Sequence, residues 1–117
     1  MKGNAIGEKS MLFAVRVVNL YRHLMRRNKE LVLAKQVLRS GTSIGANVRE
    51  AESAQSKADF TSKMSIALKE CGETLYWLEL LVRTESISQK EYASIGGDCD
   101  ELFALLTAIV KTSRKER

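Results

Sequence analysis

Leu38-Arg39-Ser40-Gly41-Thr42-Ser43-Ile44-Gly45-Ala46-Asn47-Val48-Arg49-Glu50-Ala51-Glu52 is the stretch whose reading decides the fold. Wound as a helix and continued back to Ala34 and Val37, it sets Ala34, Val37, Leu38, Gly41, Ile44, Gly45 and Val48 on one face. Glycine in a helix interior costs about 1 kcal/mol against alanine. Two of them one turn apart therefore imply a second helix packed too close to leave room for a side chain. Ser40, Ser43 and Asn47 line the border of that face, where a covered polar group needs a partner. Lys35, Arg39, Thr42 and Arg49 point the other way. A close seam with polar edges is a packing device, and no base accompanies either serine.

The chain on both sides of this stretch repeats the helical pattern. Upstream, Phe13, Ala14, Val17, Val18, Leu20, Tyr21, Leu24 and Met25 recur at helical spacing, opposite Arg16, Asn19, Arg22, His23, Arg26 and Arg27. This predicts a first helix over residues 10–27, after a polar, glycine-containing lead-in over residues 1–9. Asn28 marks a short turn, and the second helix spans 30–52. Ser56-Lys57-Ala58-Asp59 has capping-box spacing and opens a third helix over 56–83. Ser88-Gln89-Lys90-Glu91 opens a fourth over 88–112 in the same way, with Gly96-Gly97 expected to mark a bend or a close contact. The expected fold is all-α, one domain over residues 1–117: an antiparallel up-down-up-down four-helix bundle with short connections. The absence of proline agrees with this.

The composition narrows the function classes. No apolar run is long enough to cross a membrane, and the N-terminus offers no apolar signal region. A soluble, cytoplasmic chain with reduced thiols is the expectation, with no membrane partner. The net charge of +5 is uneven: residues 1–39 hold nine Lys/Arg and two Glu, whereas residues 40–117 hold ten Lys/Arg and twelve Asp/Glu. Basic charge concentrated on the first helix and the start of the second favours an anionic partner, nucleic acid being the commonest. Arg16, Arg22, Arg26, Arg27, Lys35, Arg39 and Arg49 are the candidate nucleic-acid-binding residues. Aromatic residues are sparse there, so the expected contact is with the phosphate backbone rather than with stacked bases.

The third helix carries more apolar surface than a bundle needs. Phe60, Met64, Ala67, Leu68, Cys71, Leu75, Leu78 and Val82 make its core stripe. Ile66, Trp77 and Leu80 lie on nearly the opposite side, with Tyr76 at their edge. These four are the candidate oligomer-interface residues, because a large exposed apolar patch marks an interface and tryptophan is favoured at interface centres.

Arg39-Ser40-Gly41-Thr42-Ser43-Ile44-Gly45-Ala46-Asn47-Val48-Arg49-Glu50-Ala51 closely resembles the signature of the bacterial four helix bundle protein family, also called the S23 or 23S rRNA intervening-sequence protein family. Its signature residues here are Ser40, Gly41, Ser43, Ile44, Gly45, Asn47 and Glu50, which the resemblance places in helix packing. The match continues through Gln55–Phe60 and Ile66–Leu81, and covers roughly residues 10–112. Many members carry Ile-Pro and Glu-Gly where this chain has Ile44-Gly45 and Glu50-Ala51, so the chain resembles a glycine-type branch. The resemblance implies a bundle assembled as a ring-shaped homopentamer. It also implies a setting. Similar proteins are encoded within intervening sequences of 23S rRNA genes, and relatives act as accessory proteins of diversity-generating retroelements, where they assist a reverse transcriptase.

No catalytic constellation is written in the chain. His23, the single histidine, has no local carboxylate or nucleophile to form a catalytic set. Di-iron bundles need Glu-x-x-His pairs, and zinc sites need close cysteine pairs; neither pattern occurs. Cys71 and Cys99 read as core thiols. No phosphate-binding glycine loop is present, and Glu50, Glu52, Glu70, Glu73 and Glu79 read as partners for Lys and Arg. The sequence thus predicts no enzyme, no cofactor and no metal. It predicts an oligomeric RNA-binding or reverse-transcriptase accessory bundle, the alternative being a structural or adaptor protein with a protein partner.

Overall fold

Ile6, Ser10, Phe13, Val17 and Leu24 recur at intervals of three, four and seven, and all five are buried along one side of α1 (Ala5–Arg27). A computed structural model of the chain describes residues 5–27 and 31–116. The other elements are α2 (Leu31–Glu52), α3 (Lys57–Arg83) and α4 (Gln89–Lys115), with no strand among the described residues. The expected turn at Asn28 and the start of α2 at residue 30 lie outside those residues. α1 begins earlier than residue 10 because Ile6 extends the apolar stripe by a turn and is buried against the core. α4 likewise runs past 112, with Ser113 buried beneath its last turn.

Each helix runs against its neighbours. Gly41 of α2 faces Val17 of α1, while Gly45 faces Ser10. Ser40 of α2 meets Thr74 of α3, while Glu50 meets Lys63. Cys71 of α3 meets Cys99 of α4, while Thr61 meets Ser113. Lys9 of α1 meets Glu101 of α4, while Arg27 meets Glu91. In every pair one number rises as the other falls, which is an up-down-up-down bundle with α1 diagonal to α3 and α2 diagonal to α4. The molecule measures 46 × 23 × 19 Å. α2 and α3 pack most extensively, and α1 and α4 close the ring more loosely.

Gly41 is glycine for the steric reason its position suggests. A Cβ there would stand 2.7 and 2.8 Å from the two methyls of Val17, and at Gly45 it would stand 3.4 Å from the Ser10 carbonyl oxygen. The close seam is therefore the one between α1 and α2. Its other edge faces α3, where the Thr74 hydroxyl donates to Ser40 Oγ at 2.9 Å with both residues buried. Asn47 instead donates to its own helix, at the Ser43 carbonyl, 2.9 Å away. Gly96-Gly97 behaves differently from expectation. α4 runs through both, a Cβ at Gly96 would meet only the Tyr92 ring of its own helix, and one at Gly97 would meet nothing within 4 Å.

Both capping signals are used, one of them completely. Ser88 Oγ accepts from the Glu91 amide at 3.0 Å, and Glu91 returns an acceptor to the Ser88 amide at 2.7 Å. Ser56 Oγ accepts from the Asp59 amide at 3.0 Å, but Asp59 accepts from the Gln55 amide instead. An N-cap serine contributes about 1 kcal/mol, so Ser88→Ala is expected to destabilise the bundle by about that much in urea unfolding.

Candidate nucleic-acid and partner interfaces

The seven candidate cations do not form one field. Arg16 is drawn into the α1–α4 seam, where it donates to Asp98 Oδ2 at 2.7 Å and to Ser94 Oγ at 2.8 Å. Arg27 donates to the Ser86 carbonyl at 2.9 Å and to Glu91 at 3.3 Å. Arg39 spans the α2–α3 groove, pairing with Glu70 at 3.2 Å and with Glu73. These three tie helices together.

Arg22, Arg26, Lys35 and Arg49 are exposed and have no ion pair among the described residues. Arg22 and Arg26 stand one turn apart on the outward side of α1. The antiparallel register that sets Val17 against Gly41 brings Lys35 of α2 to the level of Arg22. These three cations share one end of the α1–α2 face. Arg49 lies fourteen residues beyond Lys35, about 21 Å along the helix at ~1.5 Å per residue.

The aromatic pair on α3 is partly enclosed. Trp77 is half-buried and packs against the core, with its indole N–H donating to Glu73 at 2.9 Å. Tyr76 meets it edge to face at 4.9 Å between ring centres and is 58% exposed. Ile66 is exposed and Leu80 half-buried. The group thus splits into an outward pair, Ile66 and Tyr76, and a pair already partly covered by its own subunit. Arg39, Glu73 and Trp77 form one linked polar cluster beside them.

Sequence reasoning missed a further apolar patch. Met11, Leu12 and Val15 on α1 are 48%, 56% and 50% exposed. A signal existed: Met11, Val15 and Val18 recur at intervals of four and three beside the core stripe of Phe13 and Val17. The outward line of α1 is therefore apolar in its N-terminal half and basic in its C-terminal half.

His23 has a carboxylate neighbour that its local sequence does not reveal. Its Nε2 stands 3.8 Å from Glu91 Oε2, in a groove of about 440 Å³ between α1 and α4 that Ser94 also lines. Glu91, distant in sequence, is nevertheless already committed to the Ser88 amide and Arg27, and Ser94 to Arg16. No group of three or more His, Cys, Asp or Glu among the described residues is placed to hold a metal. No helix among them is long and apolar enough to cross a membrane.

A sequence model of the 23S rRNA-intervening sequence protein family matches residues 2–108. The chain belongs to this family. Among solved structures, it is similar to a protein of unknown function from the S23 ribosomal protein family of Bacteroides thetaiotaomicron VPI-5482. The two share 59% sequence identity with a TM-score of 0.90, over 92% of this chain and 99% of that one. No curated protein matches the chain. The likeness to that structure agrees with the four-helix fold.

Two carboxylates on these surfaces are held below their ordinary range. For Glu73 the chief cause is the Trp77 indole hydrogen bond, followed by Arg39; for Glu91 it is the Ser88 amide, with Arg27 adding to it. A lowered folded pKa means that the stabilisation is complete above the unfolded value of 4.5 and is lost as pH falls through the folded value. The urea midpoint is therefore expected to hold steady above pH 4.5 and to drop below it. Glu73→Gln should make that drop shallower.

Proposed function

We propose that this protein is a non-enzymatic, oligomeric bundle that binds structured RNA through the phosphate backbone. The observation that carries the reading is the exposed trio Arg22, Arg26 and Lys35, gathered at one end of the α1–α2 face with no ion pair among the described residues. Unpaired cations release counterions from a phosphate backbone on binding, whereas arginines already paired with carboxylates have less to gain. Arg16, Arg27 and Arg39 consequently serve the fold first. Arg49 extends the contact toward the far end of the same face.

The proposed function includes self-assembly. Ile66 and Tyr76 on α3, with Trp77 and Leu80 behind them, are the surface through which copies of the chain join, a ring of five being the expected assembly. Repeating the trio around a ring multiplies a weak backbone contact, because each further site binds at high effective concentration. The test is solution mass by light scattering together with the ultraviolet absorbance ratio of the purified protein, before and after nuclease. Co-purifying RNA on an oligomer supports the proposal. A nucleic-acid-free monomer contradicts it.

A second reading has its own observation. Met11, Leu12 and Val15 form an exposed apolar stripe away from the α3 surface, which fits a structural or adaptor role toward another protein, a reverse transcriptase among the candidates. A partner retained after nuclease treatment and lost with Leu12→Ser favours this reading. A partner released by nuclease favours RNA.

A further inference from the structure

The α3–α4 seam holds a feature that backbone binding does not use. Cys71 and Cys99, twenty-eight residues apart, are both fully buried, with their sulfurs 3.7 Å apart. Each thiol also points at the other's backbone: Cys71 Sγ lies 3.4 Å from the Cys99 carbonyl oxygen, and Cys99 Sγ lies 3.6 Å from that of Cys71. No third residue separates the sulfurs. They need only close to a bond length of about 2.0 Å. One turn of α4 before Cys99 comes the Gly96-Gly97 step, which no packing requirement explains, since a Cβ at Gly97 would meet nothing within 4 Å. Two helix-interior glycines with no steric reason to be glycine weaken α4 beside the buried thiol.

We propose that Cys71 and Cys99 are a redox pair that closes into a disulfide between α3 and α4, with Gly96-Gly97 as the point where α4 opens to admit a small peroxide. One thiol, its proton released to solvent on opening, attacks a peroxide oxygen; the S–O bond forms, the O–O bond breaks, and the hydroxide that leaves takes up that proton as water. The second sulfur then attacks the sulfenic sulfur; the S–S bond forms and the S–O bond breaks, and the hydroxide released in this step takes up the second thiol's proton as water. In sum, two thiols and one hydrogen peroxide give one disulfide and two waters. In the closed bundle the hydrogen bond to Cys71, with burial behind it, holds the Cys99 thiol protonated. The pair is inert until α4 opens, so reactivity reports local opening rather than surface exposure.

The test uses the full chain in native buffer with excess hydrogen peroxide, read by intact mass and by a non-reducing peptide map. The expected product has lost two hydrogens, links the peptides of Cys71 and Cys99, and returns to the dithiol with a reducing thiol. Gly97→Ala places a methyl in open space and stiffens α4 by about 1 kcal/mol, so it should slow linking about fivefold. Cys71→Ser should abolish it. Oxygen added to either sulfur without a link, or a link that forms only beyond the urea unfolding transition, overturns the pair. An unchanged rate in Gly97→Ala overturns the glycine step as its gate.

Discussion

Replacing Gly41 by leucine is expected to destabilise the protein by about 3 kcal/mol and to lower Tm by roughly 10–20 °C. The first carbon alone would stand 2.7 and 2.8 Å from the Val17 methyls, closer than carbon atoms approach without displacement. Val17 is fully buried, so it has no free volume into which to retreat. Three further carbons of leucine would have to part α1 from α2, and α2 is also held to α3 through Ser40 and Thr74. Helix propensity works in the opposite direction, by somewhat under about 1 kcal/mol relative to glycine, and overpacking exceeds it. The pairing can be isolated. Gly41→Ala and Val17→Ala should each destabilise alone, while the double variant should be more stable than the sum of the two predicts, by about 0.5–3 kcal/mol. Melting the four proteins side by side checks this; additive losses would mean that the glycine serves something other than the approach of Val17.

The second large effect concerns binding. Reversing Arg22, Arg26 and Lys35 to glutamate should lower affinity for an RNA hairpin on the order of a hundredfold at low salt. It should also flatten the salt dependence by about one unit of log–log slope for every phosphate that the protein no longer neutralises. None of the three side chains has an ion pair among the described residues, so the fold should be untouched and Tm nearly unchanged. Reversing Arg16, Arg27 and Arg39 should give the opposite pattern. Those residues bridge α1 to α4 and α2 to α3, and their loss should show in stability first. A binding loss confined to the paired set would turn the assignment around.

The contrast between these two triplets shows what the sequence could and could not convey. Gly41 was legible because glycine on the inner line of a helix is costly unless a neighbouring helix needs the space. Ser88-Gln89-Lys90-Glu91 was legible because a capping box is written in four adjacent residues. The partners of the arginines were not legible: Arg16 and Asp98 are eighty-two residues apart, and nothing local distinguishes a cation that will find a carboxylate from one that will not. The same limit hid Met11, Leu12 and Val15. A helical wheel assigns apolar residues inward, and only the placement of α2 and α4 beside α1 shows which of two neighbouring stripes is covered. The wheel also sets Trp77 nearly opposite the core stripe of α3. Its side chain is long enough to lean back onto the core while its N–H reaches Glu73.

The most direct measurement is the dissociation constant of the wild-type protein for an RNA hairpin, taken across a salt series from low to physiological ionic strength. Contact with three or four phosphates per subunit predicts a log–log slope of about −2 to −4, removed by the Arg22, Arg26 and Lys35 reversals. Binding that is flat across the series, or that survives those reversals unchanged, would contradict the assignment of this face to RNA.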